Sequence, residues 1–231
     1  MNNDVLGTAL HDYYFGKRSG KLWVHNQYGP KEEMPVAMYF RQYDYMPELE
    51  QTALRHCKGT VLDIGAGAGS HALWLQQEGY SVTAIDISAK AVEVIKSRGV
   101  ANAIEGNIFD YKDTRFDTLL LLMNGIGLTS TVSGLQRFLQ YAKQLLLPGG
   151  QLLFDSSDVA YIYDGKPLPK QHYYGEIAYR YAYKRQKTDW FTWLYIDKKV
   201  LKQIATDEGY AVKILAADEY GQYLVRLKLK N

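Results

Sequence analysis

Three glycines alternate with small residues between a short apolar run and a helix-like stretch, in Val61-Leu62-Asp63-Ile64-Gly65-Ala66-Gly67-Ala68-Gly69-Ser70. Glycine at such positions permits left-handed backbone and lets a ligand lie against bare main chain. Ser70 stands where it would cap a helix beginning at His71, and a helix N-terminus offers unpaired N–H groups that favour a carboxylate or phosphate. A dinucleotide-binding fold starts the same way. Its fingerprint, however, wants a third glycine three positions after the second, and Ser70 occupies that place. A plain tight turn is the competing reading of the loop, so residues elsewhere must decide.

Other candidates recur where apolar runs end. Asp86, followed by Ile87, closes the run at 81–85; Ser88 is better placed than Asp86 to cap the helix-like stretch from Ala89. Asn107 and Ile108 follow a third run, with a turn as the competing role of Asn107. The five histidines, at 11, 25, 56, 71 and 172, have no metal-ligand spacing, and Cys57 is the single cysteine. No metal site and no intramolecular disulfide are therefore expected.

Between about 60 and 154, apolar runs at 60–64, 81–85, 103–105, 118–123 and 151–154 alternate with helical patterns at 71–78, 89–97 and 135–146. That alternation predicts βαβ units and a parallel sheet. Leu135, Phe138, Leu139, Ala142, Leu145 and Leu146 recur at helical spacing, and Pro148-Gly149-Gly150 turns the chain back into a strand. Residues 38–54 read as a helix interrupted near Pro47. Residues 176–184 and 189–196 read as strands, the first with Ile177, Tyr179, Tyr181 and Tyr183 on one face. A helix at 197–208 precedes strands at 210–216 and 220–229, whose short link predicts an antiparallel hairpin at the sheet edge.

The chain has 231 residues, 47% hydrophobic and 23% charged, enough for one sizeable core. Its 27 Lys and Arg against 25 Asp and Glu leave a net charge of +2, which argues against a long nucleic-acid track or an anionic membrane as partner. The start lacks the pattern of a signal peptide, and no apolar stretch has spanning length. A cytoplasmic location is the expectation. The chain has twenty tyrosines, most of them near its start and in the stretch from Tyr161 to Tyr195.

Asp63-x-Gly65-x-Gly67-x-Gly69, then Asp86-Ile87, Asn107-Ile108 and Leu146-Leu147-Pro148-Gly149-Gly150, resemble the motifs of class I S-adenosylmethionine-dependent methyltransferases. The resemblance covers about 59–155 and the C-terminal helix and hairpin. It implies an α/β, Rossmann-like three-layer sandwich whose seven-stranded, mostly parallel sheet has order 3-2-1-4-5-7-6 with strand 7 antiparallel. The whole of 1–231 is then one methyltransferase domain: an N-terminal helical and aromatic lid (1–58), the cofactor core (59–155), an aromatic insertion with a β-hairpin (156–196) and the C-terminal unit (197–231).

The resemblance also implies residue roles toward S-adenosylmethionine. Asp63, Gly65, Ala66, Gly67 and Gly69 would pass under its methionine portion, Asp86 would accept from the ribose hydroxyls, and Ile87 would pack on the adenine. Asn107 and Ile108 would meet the adenine edge, and Met123 and Asn124 would lie beside the reacting methyl group. Asn107 departs from the family's usual Asp, although an amide oxygen can still accept from an amine. The loop after residue 123 lacks the Asn/Asp-Pro-Pro-aromatic signature of enzymes that methylate adenine or glutamine amino groups.

Methyl transfer by in-line displacement requires alignment and exclusion of water rather than a catalytic triad. A small-molecule acceptor is the expectation; an RNA or protein acceptor, or a non-catalytic cofactor-binding or dimerisation module, is the alternative. Tyr13, Tyr14 and Tyr39 are candidates to line the acceptor pocket, Arg41 to reach the cofactor carboxylate, and His25 to act as a base. Packing of the lid competes with each of these roles. For the tyrosine-rich insertion, packing ranks first, a homodimer contact second and base stacking last.

Overall fold

The computed structural model describes residues 4–17, 20–163 and 165–230. In chain order the elements are α1 (Val5–Tyr14), β1 (Leu22–Asn26), β2 (Glu32–Met34), α2 (Glu48–Arg55), β3 (Val61–Ile64), α3 (Ser70–Gln77), β4 (Val82–Asp86), α4 (Ala89–Ser97) and β5 (Asn102–Glu105). There follow β6 (Phe116–Leu121), α5 (Val132–Leu145), β7 (Leu146–Ser157), β8 (Glu176–Tyr183), β9 (Gln186–Lys187), β10 (Phe191–Leu194), α6 (Lys198–Asp207), β11 (Tyr210–Ala217) and β12 (Gln222–Leu229).

Seven strands form one sheet in the order β11-β12-β7-β6-β3-β4-β5. β4 and β5 run parallel, as do β6 and β7, whereas β12 is antiparallel to both β7 and β11. Counting the strands of this sheet along the chain gives 3-2-1-4-5-7-6 with the seventh antiparallel, the order the motifs implied. The terminal hairpin lies at the sheet edge, as its short connection required.

A second, five-stranded sheet, in the order β10-β8-β1-β2 with β9 on β8, revises the reading of the first 58 residues. That segment is not only helical: it supplies the hairpin β1–β2, and β1 pairs antiparallel with β8 from Leu22↔Tyr183 to Asn26↔Tyr179. β1 is short, and its main partner is remote in sequence, so no local periodicity announces it. Residues 38–54 also break earlier than expected. Short 3₁₀ turns at Val36–Phe40 and Tyr43–Tyr45 precede α2, and Pro47 stands immediately before that helix, where its missing N–H removes no helical bond.

The chain divides into two compact units. The described residues within Met1–Met46, Asp63–Tyr111 and Ala178–Phe191 form one, and those within Pro47–Leu62, Lys112–Ile177 and Thr192–Asn231 the other. In the first, Val5, Ala9 and Leu10 of α1 are buried with Leu22, Ala91, Val94 and Tyr183. Each full burial of a Val or Leu contributes roughly 1.5–3 kcal/mol, which fixes α1 and β1 against α4, the helix that follows Asp86. Asp4 caps α1 by accepting from the Gly7 N–H at 2.9 Å and also accepts from the Ser88 hydroxyl, itself the cap of α4.

In the second unit, Leu135, Phe138, Leu139, Ala142 and Leu145 form the buried stripe of α5 that their spacing predicted. Two tyrosines belong to its core with their hydroxyls satisfied: Tyr210 donates to the Leu139 carbonyl at 2.7 Å and Tyr223 to that of Ile196 at 2.6 Å. Among the described residues no helix is long and apolar enough to cross a membrane, and no cluster of His, Cys, Asp and Glu is placed to hold a metal.

Candidate cofactor and acceptor site

The glycine loop joins the end of β3 to the start of α3. Gly65, Gly67 and Gly69 all have left-handed φ, at 71°, 59° and 76°. The Gly65 and Ala66 N–H groups donate to the Ile85 carbonyl in β4, and the Gly67 N–H donates to Asp86 Oδ2 at 2.8 Å. At Gly67 a side chain is excluded twice over: the backbone is left-handed, and an added Cβ would stand 3.3 Å from the Tyr39 ring. Gly69 itself is the N-cap of α3, so Ser70 is the first helical residue rather than the cap expected from its type. The Ser70 hydroxyl instead donates to the Tyr39 carbonyl at 2.7 Å and accepts from Arg98 at 2.9 Å.

Two acids lie under this loop. Asp63 is 2% exposed; burial pushes its carboxyl up to about 6, against the opposing influence of His71 and of the Ala72 N–H. Its Oδ2 is buried with no hydrogen-bond partner, an acceptor that a native interior normally satisfies. Asp86 accepts from Gly67 through one oxygen and from the Ser88 N–H through the other, at 2.9 Å. Burial raises its pKa, while the Ser88 and Gly67 N–H groups oppose the rise and Asp4 adds to it. Next to it Ile87 is 74% exposed, an apolar side chain left open beside an acid.

Asn107 is exposed and serves the turn that follows it, its Oδ1 accepting from the Phe109 N–H at 3.0 Å; Ile108 beside it is buried. An amide oxygen has a second lone pair, so this bond leaves room for another donor.

In the second unit, Met123 and Asn124 follow β6 with φ of 59° and 54°. Left-handed backbone at two successive non-glycine residues costs roughly 1–3 kcal/mol each and persists only where the surroundings impose it. Here the Asn124 N–H donates to both Asp155 carboxylate oxygens, Nδ2 donates to the Leu194 carbonyl at 3.1 Å, Oδ1 accepts from Ser156, and its carbonyl accepts from the Trp193 indole. The Asn124 side chain thus anchors this turn.

The five acceptor-side candidates do not converge. Tyr39 is the one that touches the glycine loop; its hydroxyl donates to Met34 Sδ at 3.1 Å, and burial, with Tyr181 and Asp86 adding to it, raises its pKa far above the ordinary phenol range. Tyr13 and Tyr14 pack on Phe40, and Tyr14 donates to the Ser97 carbonyl at the end of α4 remote from Asp86. His25 pairs with Arg180 across β1 and β8 and so faces away from Tyr181. Partial burial lowers its pKa, assisted by Arg180, Lys187 and Lys31. Arg41 closes the turn at Val36–Phe40 and is half-buried.

Two contributors were missed by sequence reasoning. Arg98 donates to the Ala68 carbonyl at 2.6 Å as well as to Ser70, and lies over the Phe40 ring, tying α4 to the loop. Tyr181 was legible as part of a face but not as a neighbour of Tyr39. Its environment is named by the raised Tyr39 pKa and by Phe191, 5.1 Å from it ring to ring.

The glycine loop is bonded to the acid at the end of β4, with an exposed apolar residue after that acid, in a seven-stranded α/β fold. Known proteins share this fold. A methyltransferase-domain family matches residues 62–154. The crystal structure of an S-adenosylmethionine-dependent methyltransferase from Bacteroides fragilis, in complex with S-adenosyl-L-homocysteine, is 41% identical, with a TM-score of 0.90 over 98% of this chain and 94% of that one. The chain belongs to the S-adenosylmethionine-dependent methyltransferases, and S-adenosylmethionine is the cofactor of that family.

Two curated relatives are similar over shorter stretches. Ribosomal RNA small subunit methyltransferase C of Salmonella newport is 35% identical over 114 residues, 45% of this chain and 33% of that protein. Demethylmenaquinone methyltransferase of Tropheryma whipplei is 31% identical over 98 residues, 40% of this chain and 39% of that protein. The match therefore spans a third to two-fifths of the curated relatives, and their acceptors differ from one another.

Proposed function

We propose that this protein transfers a methyl group from S-adenosylmethionine to a small-molecule acceptor in the cytoplasm. The observation that carries the reading is the joint construction of the glycine loop and Asp86, bonded through the Gly67 N–H at 2.8 Å. The residues fit the cofactor: Asp63 has a buried acceptor without a partner, three glycines bare the loop backbone, and Ile87 is open beside Asp86. When bound, S-adenosylmethionine supplies a sulfonium methyl that is already electrophilic.

The chain's own residues then bind and orient. Asp86 holds the ribose diol, because each carboxylate oxygen that accepts one N–H has a lone pair left for one hydroxyl. Ile87 packs on the adenine, Asn107 accepts from its amino group and the Ile108 N–H donates to its ring, and Gly65, Ala66, Gly67 and Gly69 present main chain to the methionine portion near Asp63. In the second unit, Met123 and Asn124 form the turn after β6, and Asn124 holds that turn through its bonds to Leu194 and Ser156. No base is required for an acceptor that is a free nucleophile. Tyr39 and Tyr181, both held above their ordinary phenol pKa by burial, remain protonated at neutral pH and act as donors and ring surfaces.

Calorimetric titration with S-adenosylhomocysteine tests the reading: saturable one-to-one binding is expected, and a folded protein that takes up none would overturn it. An RNA acceptor is the second reading. It is supported by cations and rings that share the other face of β1 and β8, with Lys31 over Trp23 and Arg180 over Trp190. Salt-sensitive RNA binding is what that reading requires.

A further inference from the structure

The five-stranded sheet has two chemically different faces. Register puts Trp23, His25, Arg180 and Lys187 on one, and Leu22, Val24, Tyr179, Tyr181 and Tyr183 on the other. Along the second face Leu22 and Tyr183 are sealed in the core with α1, whereas Tyr181 and Tyr179 are half-buried and keep accessible surface. Tyr181 lies 5.1 Å from the Phe191 ring, and the Tyr39 ring, also half-buried, closes against the glycine loop at Gly67. The rings form a wall in which Tyr39 is the one that stands at the loop.

We infer that Tyr39, Tyr179 and Tyr181 form a subsite for an organic ammonium group, so that the acceptor is an alkyl amine; this rests on the methyltransferase reading above. Ring faces carry negative electrostatic potential and attract a desolvated cation. The charged groups differ between the two sides. Arg180 and Lys187 share the face of His25, whose pKa is lowered by burial and further by Arg180, Lys187 and Lys31, whereas the charged neighbour of Tyr39 is the Asp86 carboxylate, which adds to the rise that burial causes. A cation is repelled by the first group of charges and attracted by the second. For a neutral amine, the nitrogen lone pair forms the new C–N bond as the C–S bond breaks, its electron pair passing to sulfur. The positive charge thus appears on nitrogen, beside the rings, and an N–H proton then leaves to water.

The test uses choline and its uncharged isostere 3,3-dimethylbutan-1-ol, titrated into the protein saturated with S-adenosylhomocysteine. Choline is expected to bind about tenfold or more tightly than the neutral compound. Tyr181→Phe should retain that preference, and Tyr181→Leu should lose most of it while still binding S-adenosylhomocysteine. Equal affinity for the two probes, or no binding of either, overturns the subsite. A preference for choline seen only without S-adenosylhomocysteine also overturns it, because the wall would then serve the cofactor's own sulfonium. Failure to bind S-adenosylhomocysteine at all refutes instead the methyltransferase reading beneath it.

Discussion

Asp86→Ala isolates the ribose contact. In the free protein each carboxylate oxygen accepts one N–H, from Gly67 at 2.8 Å and from Ser88 at 2.9 Å, so two acceptor positions remain for two hydroxyls. Hydrogen bonds to a charged group are worth about 1.5–3 kcal/mol each, and the hydroxyls of a free ligand are already hydrated, so the pair contributes about 1–3 kcal/mol in total. Affinity for S-adenosylhomocysteine should therefore fall about 5- to 150-fold. The Gly67 N–H also loses its partner, so the loop loosens and the melting temperature drops. Asp86→Asn keeps an acceptor for one of the two N–H groups and should be less destabilised while still binding weakly. Calorimetry on both variants, with circular dichroism to confirm folding, reads the two effects separately. A folded Asp86→Ala protein with affinity within twofold of wild type refutes the assignment of the ribose to this acid.

Other predictions concern the loop and its supports. Because the folded pKa of Asp63 stands near 6 and an unfolded aspartate titrates near 3.9, the folded state holds the proton more tightly between those values. Stability should thus fall as pH rises from about 4 to 6, and Asp63→Asn should abolish that fall and be the more stable protein at pH 7 by roughly 1–3 kcal/mol, in denaturant titrations across pH. An unchanged pH profile in the variant would refute the burial argument. Gly67→Ala, forced to φ +59° and pressed to 3.3 Å from Tyr39, should lose about 1–2 kcal/mol of stability and bind S-adenosylhomocysteine more weakly. Asn124→Ala removes the bonds to Leu194 and Ser156 and should cost about 1–3 kcal/mol by thermal melting; an unchanged melting temperature would refute its role as the anchor of the turn.

The parallel centre was legible because its signals are local. The buried run through Leu119–Leu121 and the helical stripe from Leu135 to Leu145 declare their partners by period alone, and Pro148-Gly149-Gly150 marks the turn between them. Asp63, the three glycines and Asp86 were legible for the same reason, since strand, loop and helix are contiguous. The lid was not. β1 derives its stability from β8, far away in the chain, and its five residues include only three that are apolar or aromatic. The tyrosine alternation from Tyr179 to Tyr183 identified a face but could not say which way it turns, because both faces of that sheet carry aromatic residues. Ser70 misled for a definable reason: a serine is a good cap, but the left-handed turn gave the cap position to Gly69.

A crystal structure of the protein with S-adenosylhomocysteine bound tests the central claim most directly. The account predicts the ribose hydroxyls on Asp86, the adenine against Ile87 with Asn107 and the Ile108 N–H at its edge, and the homocysteine portion against Gly65 to Gly69 near Asp63. A ligand bound elsewhere, with Asp86 still bonded to Gly67 and Ser88 and without any contact to ribose, would contradict it.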